Sequence, residues 1–237
     1  MMRTRTLIPR SVITDVEQRV KRLCEDLAAK LQFHGWHHVS FVRDKSVHFA
    51  ERNGAARDVV EVAALVHDLN YMVRRNSLPT DGAALSRKVL FIAGVSLGDI
   101  EWIERIVVEA EMRTRSRDIS LEAQALSDAD TLFKALPVTP VVLAHKYLQE
   151  NGITLRELAH KIVGEQVGKA DEGYYFYDSE AAATYTRWAE TNLQLWKCIV
   201  ESLDDPCVED LLTKVASLEV TVPEVVSVTR STTCVLP

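Results

Sequence analysis

Apolar residues in the first part of the chain recur at helical intervals. Val16, Val20, Leu23, Leu27 and Leu31 stand three or four residues apart, which predicts an amphipathic helix over 13–31. A second helix is expected over 39–52, stopped by Asn53-Gly54. The segment 56–68 differs in kind. Val59, Val60, Val62, Ala63, Ala64, Leu65 and Val66 leave almost no polar face, so this helix is expected to be buried all round. A polar loop, Arg74-Arg75-Asn76-Ser77, leads to Pro79-Thr80-Asp81-Gly82, which reads as a helix start with Thr80 or Asp81 as its cap. Further helices are expected over 83–94, 98–112, 120–135, 138–149 and 153–163. A long one over 178–203 carries Trp188, Leu193, Leu195 and Trp196, and a short one follows near 208–218. Trp188 and Trp196 read as packing anchors. From Glu219 Val and Thr dominate and Pro223 interrupts, so 219–237 is expected to be an extended or loose tail. The pattern predicts one all-α domain over 14–218, a compact multi-helix bundle.

Composition agrees. The chain has 237 residues, 47% hydrophobic and 26% charged, with only 9 Gly and 7 Pro, which favours long elements with few turns. With 28 basic against 34 acidic residues the net charge is −6, which argues against broad capture of nucleic acid or an anionic membrane. A small phosphorylated ligand needs only a local basic patch. Cys24, Cys198, Cys207 and Cys234 form no CxxC pair, so neither a zinc knuckle nor a disulfide framework is indicated. No apolar stretch follows the basic start, and the run Val62 to Val66 is far too short to span a bilayer. A cytoplasmic location without membrane or nucleic-acid partners is expected, and self-association as a homodimer stays open.

Metal-type ligands concentrate in His34-Gly35-Trp36-His37-His38, His67-Asp68 and Asp128-Ala129-Asp130. His67-Asp68 is the sharpest, because a carboxylate closing a run of Val, Ala and Leu needs a compensating partner. A helix C-terminus also carries partial negative charge, and a divalent cation would answer both demands. His38 shares a helical face with Val42, Ser46 and Phe49, whereas His37 shares one with Phe41, Asp44, Lys45 and His48, so His38 points inward and His37 outward. His34 precedes the helix and suits a supporting or capping role. Asp130 shares a stripe with Leu126 and Phe133, and Asp128 with Leu121 and Leu132, so spacing does not choose between them. Two positions apart on a helix they face about 200° apart and cannot both reach one ion. Asp81 fits a cap better than a ligand, and Glu109 and Glu111 fit a solvated face.

These segments resemble the HD superfamily of metal-dependent phosphohydrolases, in its small single-domain bacterial form. HGWHHVSFV is similar to that family's opening helix, VAALVHDLNY to its His-Asp helix and LEAQALSDADTLFKAL to its distal aspartate helix. The likeness covers roughly 20–135, and the helix over 178–203 is similar to the closing helix of the smaller members. It implies a helical HD-type bundle holding one divalent ion on His38, His67, Asp68 and Asp130. Asp130 is chosen because Ala129-Asp130-Thr131-Leu132 matches the family's Ala-Asp-x-Leu signature, which leaves Asp128 to support the site or bond a neighbouring helix. Mixed imidazole and carboxylate ligation suits Mn, Fe, Co, Ni, Zn or Mg. Such an ion polarises a phosphoryl oxygen and acidifies water, with Asp68 as the catalytic carboxylate that holds the water as well as the ion.

Arg74, Arg75 and Lys134 are the expected grips on the substrate phosphate, and Arg113, Arg115 and Arg117 form another basic cluster. The extra histidines of the family's two-metal subgroup fall near Asp81 and Glu109, which disfavours a two-metal oxygenase or a cyclic-dinucleotide phosphodiesterase. Where some nucleotidases of the family carry a Glu, this chain has Tyr71 or Met72. The expected activity is hydrolysis of a phosphate ester of a nucleotide or other small phosphorylated metabolite. The alternatives are a catalytically weak sensor that binds nucleotide or metal, and an HD-type hydratase or lyase.

Overall fold

The computed structural model describes residues 7–114 and 116–218, so the tail expected at 219–237 lies outside the described residues. Helix α1 (Arg10–Asp26) buries Ile13, Val16, Val20 and Cys24, the stripe read from the sequence. It ends five residues earlier than expected. Leu27 closes it, and Leu31 is buried from the turn that follows. Helix α2 (Trp36–Asn53) stops at Gly54, whose φ of 79° is open to glycine at little cost. Helix α3 (Arg57–Val66) is buried continuously from Val59 to Val66.

The helix expected over 56–68 ends at Val66, and after His67-Asp68 the chain adds a short helix that the periodicity does not predict, α4 (Leu69–Val73). Here the His67 ring takes a backbone acceptor, donating from Nδ1 to the Ala64 carbonyl at 2.8 Å. Pro79–Gly82 form a single 3-10 turn. Asp81 does not cap it from the front; its carboxylate reaches back to accept from the Leu78 N–H at 2.9 Å. Gly82 lies directly on the backbone of Asn70, where an added Cβ would come within 2.5 Å of the Asn70 nitrogen. The same residue is clamped from its side chain, which donates to the Ser77 carbonyl at 3.0 Å.

Helices α5 (Ala83–Ile92), α6 (Leu97–Glu109) and α7 (Leu121–Ala135) follow, the last two capped by the hydroxyls of Ser96 and Ser120. The helix expected over 138–149 is split at Leu143 into α8 (Thr139–Val142) and α9 (Ala144–Asn151). Helix α10 (Leu155–Glu172) runs past Gly164 and Gly168, held at its start by a Thr154–Glu157 capping box. Helices α11 (Ser179–Ser202) and α12 (Pro206–Leu218) complete the order. Among the described residues there is no strand, and no helix is long and apolar enough to cross a membrane.

The all-α bundle centres on α3, which packs against α1, α2, α6 and α7. A smaller apolar cluster of Leu158, Ala159 and Trp196 joins α10 to α11. Trp196 is buried there, while Trp188 packs half-buried against the main core. Asn192 of α11 donates to the carbonyls of Lys134, Ala135 and Leu136 at 2.9–3.3 Å, satisfying the open end of α7.

Candidate metal centre

Three separate elements bring four ligand-type side chains together: ligand atoms of His38, His67 and Asp68 lie within 4.8 Å of one another, and Asp130 approaches His38 from the side. His38 lies fully buried on α2, His67 and Asp68 occupy the α3–α4 break, and Asp130 projects from α7. The His38 Nε2 is 2.8 Å from Asp68 Oδ2, 3.2 Å from His67 Nε2 and 3.6 Å from Asp130 Oδ1. The His67 Nε2 is 3.2 Å from the same Asp68 oxygen. Because His67 donates its Nδ1–H to the Ala64 carbonyl, the neutral ring presents the Nε2 lone pair to the cluster. Asp68 Oδ2 is buried and receives no well-directed hydrogen bond, although two imidazole nitrogens crowd it.

Burial and charge act in opposite directions on these four groups. Burial pushes the His38 imidazole down, more than the Asp68 carboxylate raises it. For His67 the balance is reversed: burial is outweighed by the Asp68 charge, and the ring is raised. Burial would push Asp68 up, yet His67 and His38 hold its carboxyl well below the usual range. Asp130 is also lowered, with Lys134 and His38 outweighing its burial. Two ionised carboxylates therefore sit with two imidazoles. A proton on His67 or a divalent ion bound to Nε2 and Oδ atoms can supply the missing positive charge. The set of two nitrogens and two oxygens fits a divalent transition metal or Mg.

Asp68 and Asp130 open onto a cavity of about 150 Å³, also lined by Lys134, Arg113, Tyr71 and Trp196. Lys134 sits 2.6 Å from Asp130 Oδ2; burial disfavours its ammonium, but Asp130 outweighs this and raises it. Of the three expected phosphate grips, Lys134 alone lines the cavity. Arg74 is exposed and pairs with Asp81 at 2.7 Å, and Arg75 lies beside Gly152 at the end of α9. In the other basic cluster, Arg113 lines the cavity and bonds Glu111 and the Ser77 carbonyl, while Arg117 lies over the Tyr174 ring. Arg115 is outside the described residues.

The remaining acidic candidates are accounted for. Asp128 is buried and accepts from the Tyr177 and Asp178 N–H groups, both at 2.8 Å, so it fastens the start of α11. Glu109 accepts from the Ser120 N–H and hydroxyl, a half-buried contact ahead of α7 in place of the solvated face expected. Glu111 lines the cavity beside Arg113. His37 is exposed, as its face predicts.

Sequence reasoning missed Glu150. It is buried on α9, accepts from the Phe33 and His34 N–H groups at 2.7 and 3.1 Å, and bonds the His34 ring at Nδ1. Its neighbours Gln149 and Asn151 are polar, so nothing in the local pattern marks it as an inward residue.

Fold and site together define a helical bundle with a cluster of two buried histidines and two partly buried aspartates beside a cavity. No protein-family model matches the chain. It is 31% identical over 103 residues to the uncharacterized protein YpgQ of Bacillus subtilis (strain 168), covering 42% of this chain and 50% of that one. In sequence the chain thus spans about half the length of the curated relative it matches. In structure it is similar to a structural-genomics protein of Lactobacillus plantarum, with a TM-score of 0.61 and 20% identity over 83% of this chain and all of that one. The crystal structure of B. subtilis YpgQ is also similar, with a TM-score of 0.54 and 20% identity over 81% of this chain and 98% of that one. These likenesses show a shared fold.

Proposed function

We propose that this chain is a metal-dependent phosphohydrolase of the HD type, cleaving a phosphate ester of a nucleotide or other small phosphorylated metabolite. The observation that carries the reading is the crowding of the His38 and His67 rings on a buried Asp68 oxygen that receives no well-directed hydrogen bond, with Asp130 beside His38, next to a cavity lined also by Lys134 and Arg113. His38, His67, Asp68 and Asp130 would hold one divalent ion, drawn from Mn, Fe, Co, Ni, Zn and Mg. Bound there, the ion supplies Lewis acidity toward a phosphoryl oxygen and toward water.

The protein groups divide the remaining work. Lys134 and Arg113 offer fixed positive charge to the phosphoryl oxygens, where negative charge grows in the transition state. Asp68 is the carboxylate placed both to bind and to orient a water. The rings of Tyr71 and Trp196 form walls that keep bulk solvent from the reacting group. A cytoplasmic setting goes with this reading, supported by Cys24, Cys198 and Cys207, which are all free thiols.

The test is a screen of nucleotides and sugar phosphates with added Mn, Co or Ni, alongside elemental analysis of the purified protein. About one divalent ion per chain and release of phosphate or pyrophosphate are expected. Ligand-induced stabilisation without turnover would favour a sensor, and turnover of a non-phosphate substrate would favour a hydratase or lyase.

A further inference from the structure

We infer that Asn192 sets which leaving groups the cavity admits, its side-chain oxygen accepting an N–H from a flat, amine-bearing ring held against Trp196. The inference rests on the phosphohydrolase reading for the place of the phosphate. It adds a specificity-determining residue outside the proposed ligands and phosphate grips. Asn192 lines the cavity yet is only 4% exposed. Its amide nitrogen is committed: Nδ2 donates to the carbonyls of Lys134, Ala135 and Leu136 at 3.3, 2.9 and 3.2 Å. Three carbonyl oxygens around one atom demand a donor there, so the amide cannot be turned over. Oδ1 is thereby pointed away from the end of α7. It has no hydrogen-bond partner among the described residues and, unlike the enclosed side-chain oxygens of Asn70 and Asn151, is not sealed from the cavity.

The surroundings of this oxygen narrow its partner. Trp196 stands one turn further along the same face of α11, and Leu158 and Ile162 of α10 line the same cavity. Leu158 and Trp196 are packed together, with Ile162 against them. An apolar, aromatic wall fits the face of a flat ring and offers nothing to the hydroxyls of a sugar. An acceptor set in such a wall asks for a donor in the plane of the ring, which an amine on the ring edge supplies. The position along the cavity is that of a leaving group. The carbonyls that hold Asn192 lie four to six residues beyond Asp130 on α7, about 6–9 Å along its axis. A phosphoryl group beside Asp68, Asp130 and Lys134 therefore brings the group it is bonded to, and not its own oxygens, to Asn192.

A ring that fills this end of the cavity takes water away from Oδ1. With an N–H at its edge the oxygen is paired again. With a C–H there the oxygen stays unpaired in an enclosed site, and a fixed acceptor has no second orientation to escape into. Asn192 thus selects chiefly by rejecting rings that lack the donor. Its two ends do separate work, the nitrogen closing α7 and the oxygen reading the bound molecule.

Two matched pairs of monophosphates test this role. Adenosine 5′-monophosphate differs from purine riboside 5′-monophosphate by the exocyclic amine alone, and cytidine 5′-monophosphate differs in the same way from its pyrimidin-2-one analogue. Binding to chelator-treated protein is measured by calorimetry, and kcat/KM with added Mn, Co or Ni. In at least one pair the wild type should favour the amine-bearing member roughly tenfold in Kd, and in kcat/KM where the pair is cleaved. Asn192→Ala should bring that ratio close to one. This variant also loses the contacts that close α7 and should melt lower, but a ratio of two Kd values does not depend on how much of the protein is folded. No binding of any of the four, equal binding within both pairs by the wild type, or an undiminished ratio in Asn192→Ala would overturn the role of Asn192. Cleavage without preference would overturn that role and leave the phosphohydrolase reading intact. A preference in binding, with no phosphate ester cleaved, would keep Asn192 as the reader of the ring and overturn the phosphohydrolase reading.

Discussion

The two sides of the cavity are built differently. On the ligand side, α3 buries eight consecutive residues, Val59 to Val66, and α7 buries ten of its fifteen. On the far side, α10 buries only Leu158 and Ala159 over eighteen residues, and α8 buries only Thr139. Close packing on one side fixes ligand geometry, because interiors at native density yield little to small displacements. The far wall is held by fewer apolar contacts and can change its shape or residues at less cost. On the proposed function, the metal ligands and the wall that meets a bound molecule belong to different helices.

Three experiments bear on that contrast, beginning with the largest effect. Asp68→Ala or His67→Ala should abolish turnover and remove the ion, and the melting temperature should fall with it, since metal binding stabilises the folded state by mass action. Chelator should lower the melting temperature of the wild type and leave that of Asp68→Ala unmoved. His37→Ala, on the exposed face of the same helix as His38, should change neither metal content nor activity. Full metal content in Asp68→Ala would show that the rigid side does not hold an ion.

The second comparison separates two aspartates on one helix. Asp130→Asn should lose the ion while folding normally. Asp128→Asn should keep it and lose about 1–3 kcal/mol in denaturant unfolding, because the Tyr177 and Asp178 N–H groups lose a charged acceptor. If native mass spectrometry finds the ion gone from Asp128→Asn and retained in Asp130→Asn, the two roles are exchanged.

The smallest effects distinguish cations at the cavity from those at the surface. Lys134→Met should lower kcat/KM for a phosphate ester roughly tenfold, the size of one charged hydrogen bond of about 1.5 kcal/mol. Arg74→Met should leave kinetics unchanged and alter stability by under about 0.5 kcal/mol, as expected for an exposed pair with Asp81. Equal kinetic effects of the two substitutions would place the phosphate on the α4 side of the cavity.

The packed side was also the side legible in the sequence. The stripes of α1, α2 and α7 and the apolar run of α3 declare their buried faces, and His38 and His67-Asp68 are conspicuous because polar groups interrupt those runs. What periodicity missed was decided by tertiary contacts. Periodicity does not predict the short helix α4 after His67-Asp68, although it does predict the end of α3 close to residue 68; there the His67 ring nitrogen takes the Ala64 carbonyl, a contact that hydrophobic spacing does not record. Asp81 looks like a helix cap but sits three residues into the turn, from where its carboxylate accepts the Leu78 N–H. Glu150 gave no signal, because its partners Phe33 and His34 are more than a hundred residues away. Arg74 and Arg75 were adjacent in sequence to a ligand pair but are carried to the surface by the loop.

Gly82 bears on how such chains diverge. Its φ of −90° is available to any residue, so only the contact with the Asn70 backbone demands glycine. The neighbouring Asp81 can be replaced at the cost of surface contacts, but a methyl group at position 82 would force the rim of the cavity away from the α3–α4 break. A descendant sequence that keeps this rim is bound to keep that glycine however far its outer helices drift. A descendant without it must have rebuilt the loop, and with it the shape of molecule its cavity admits.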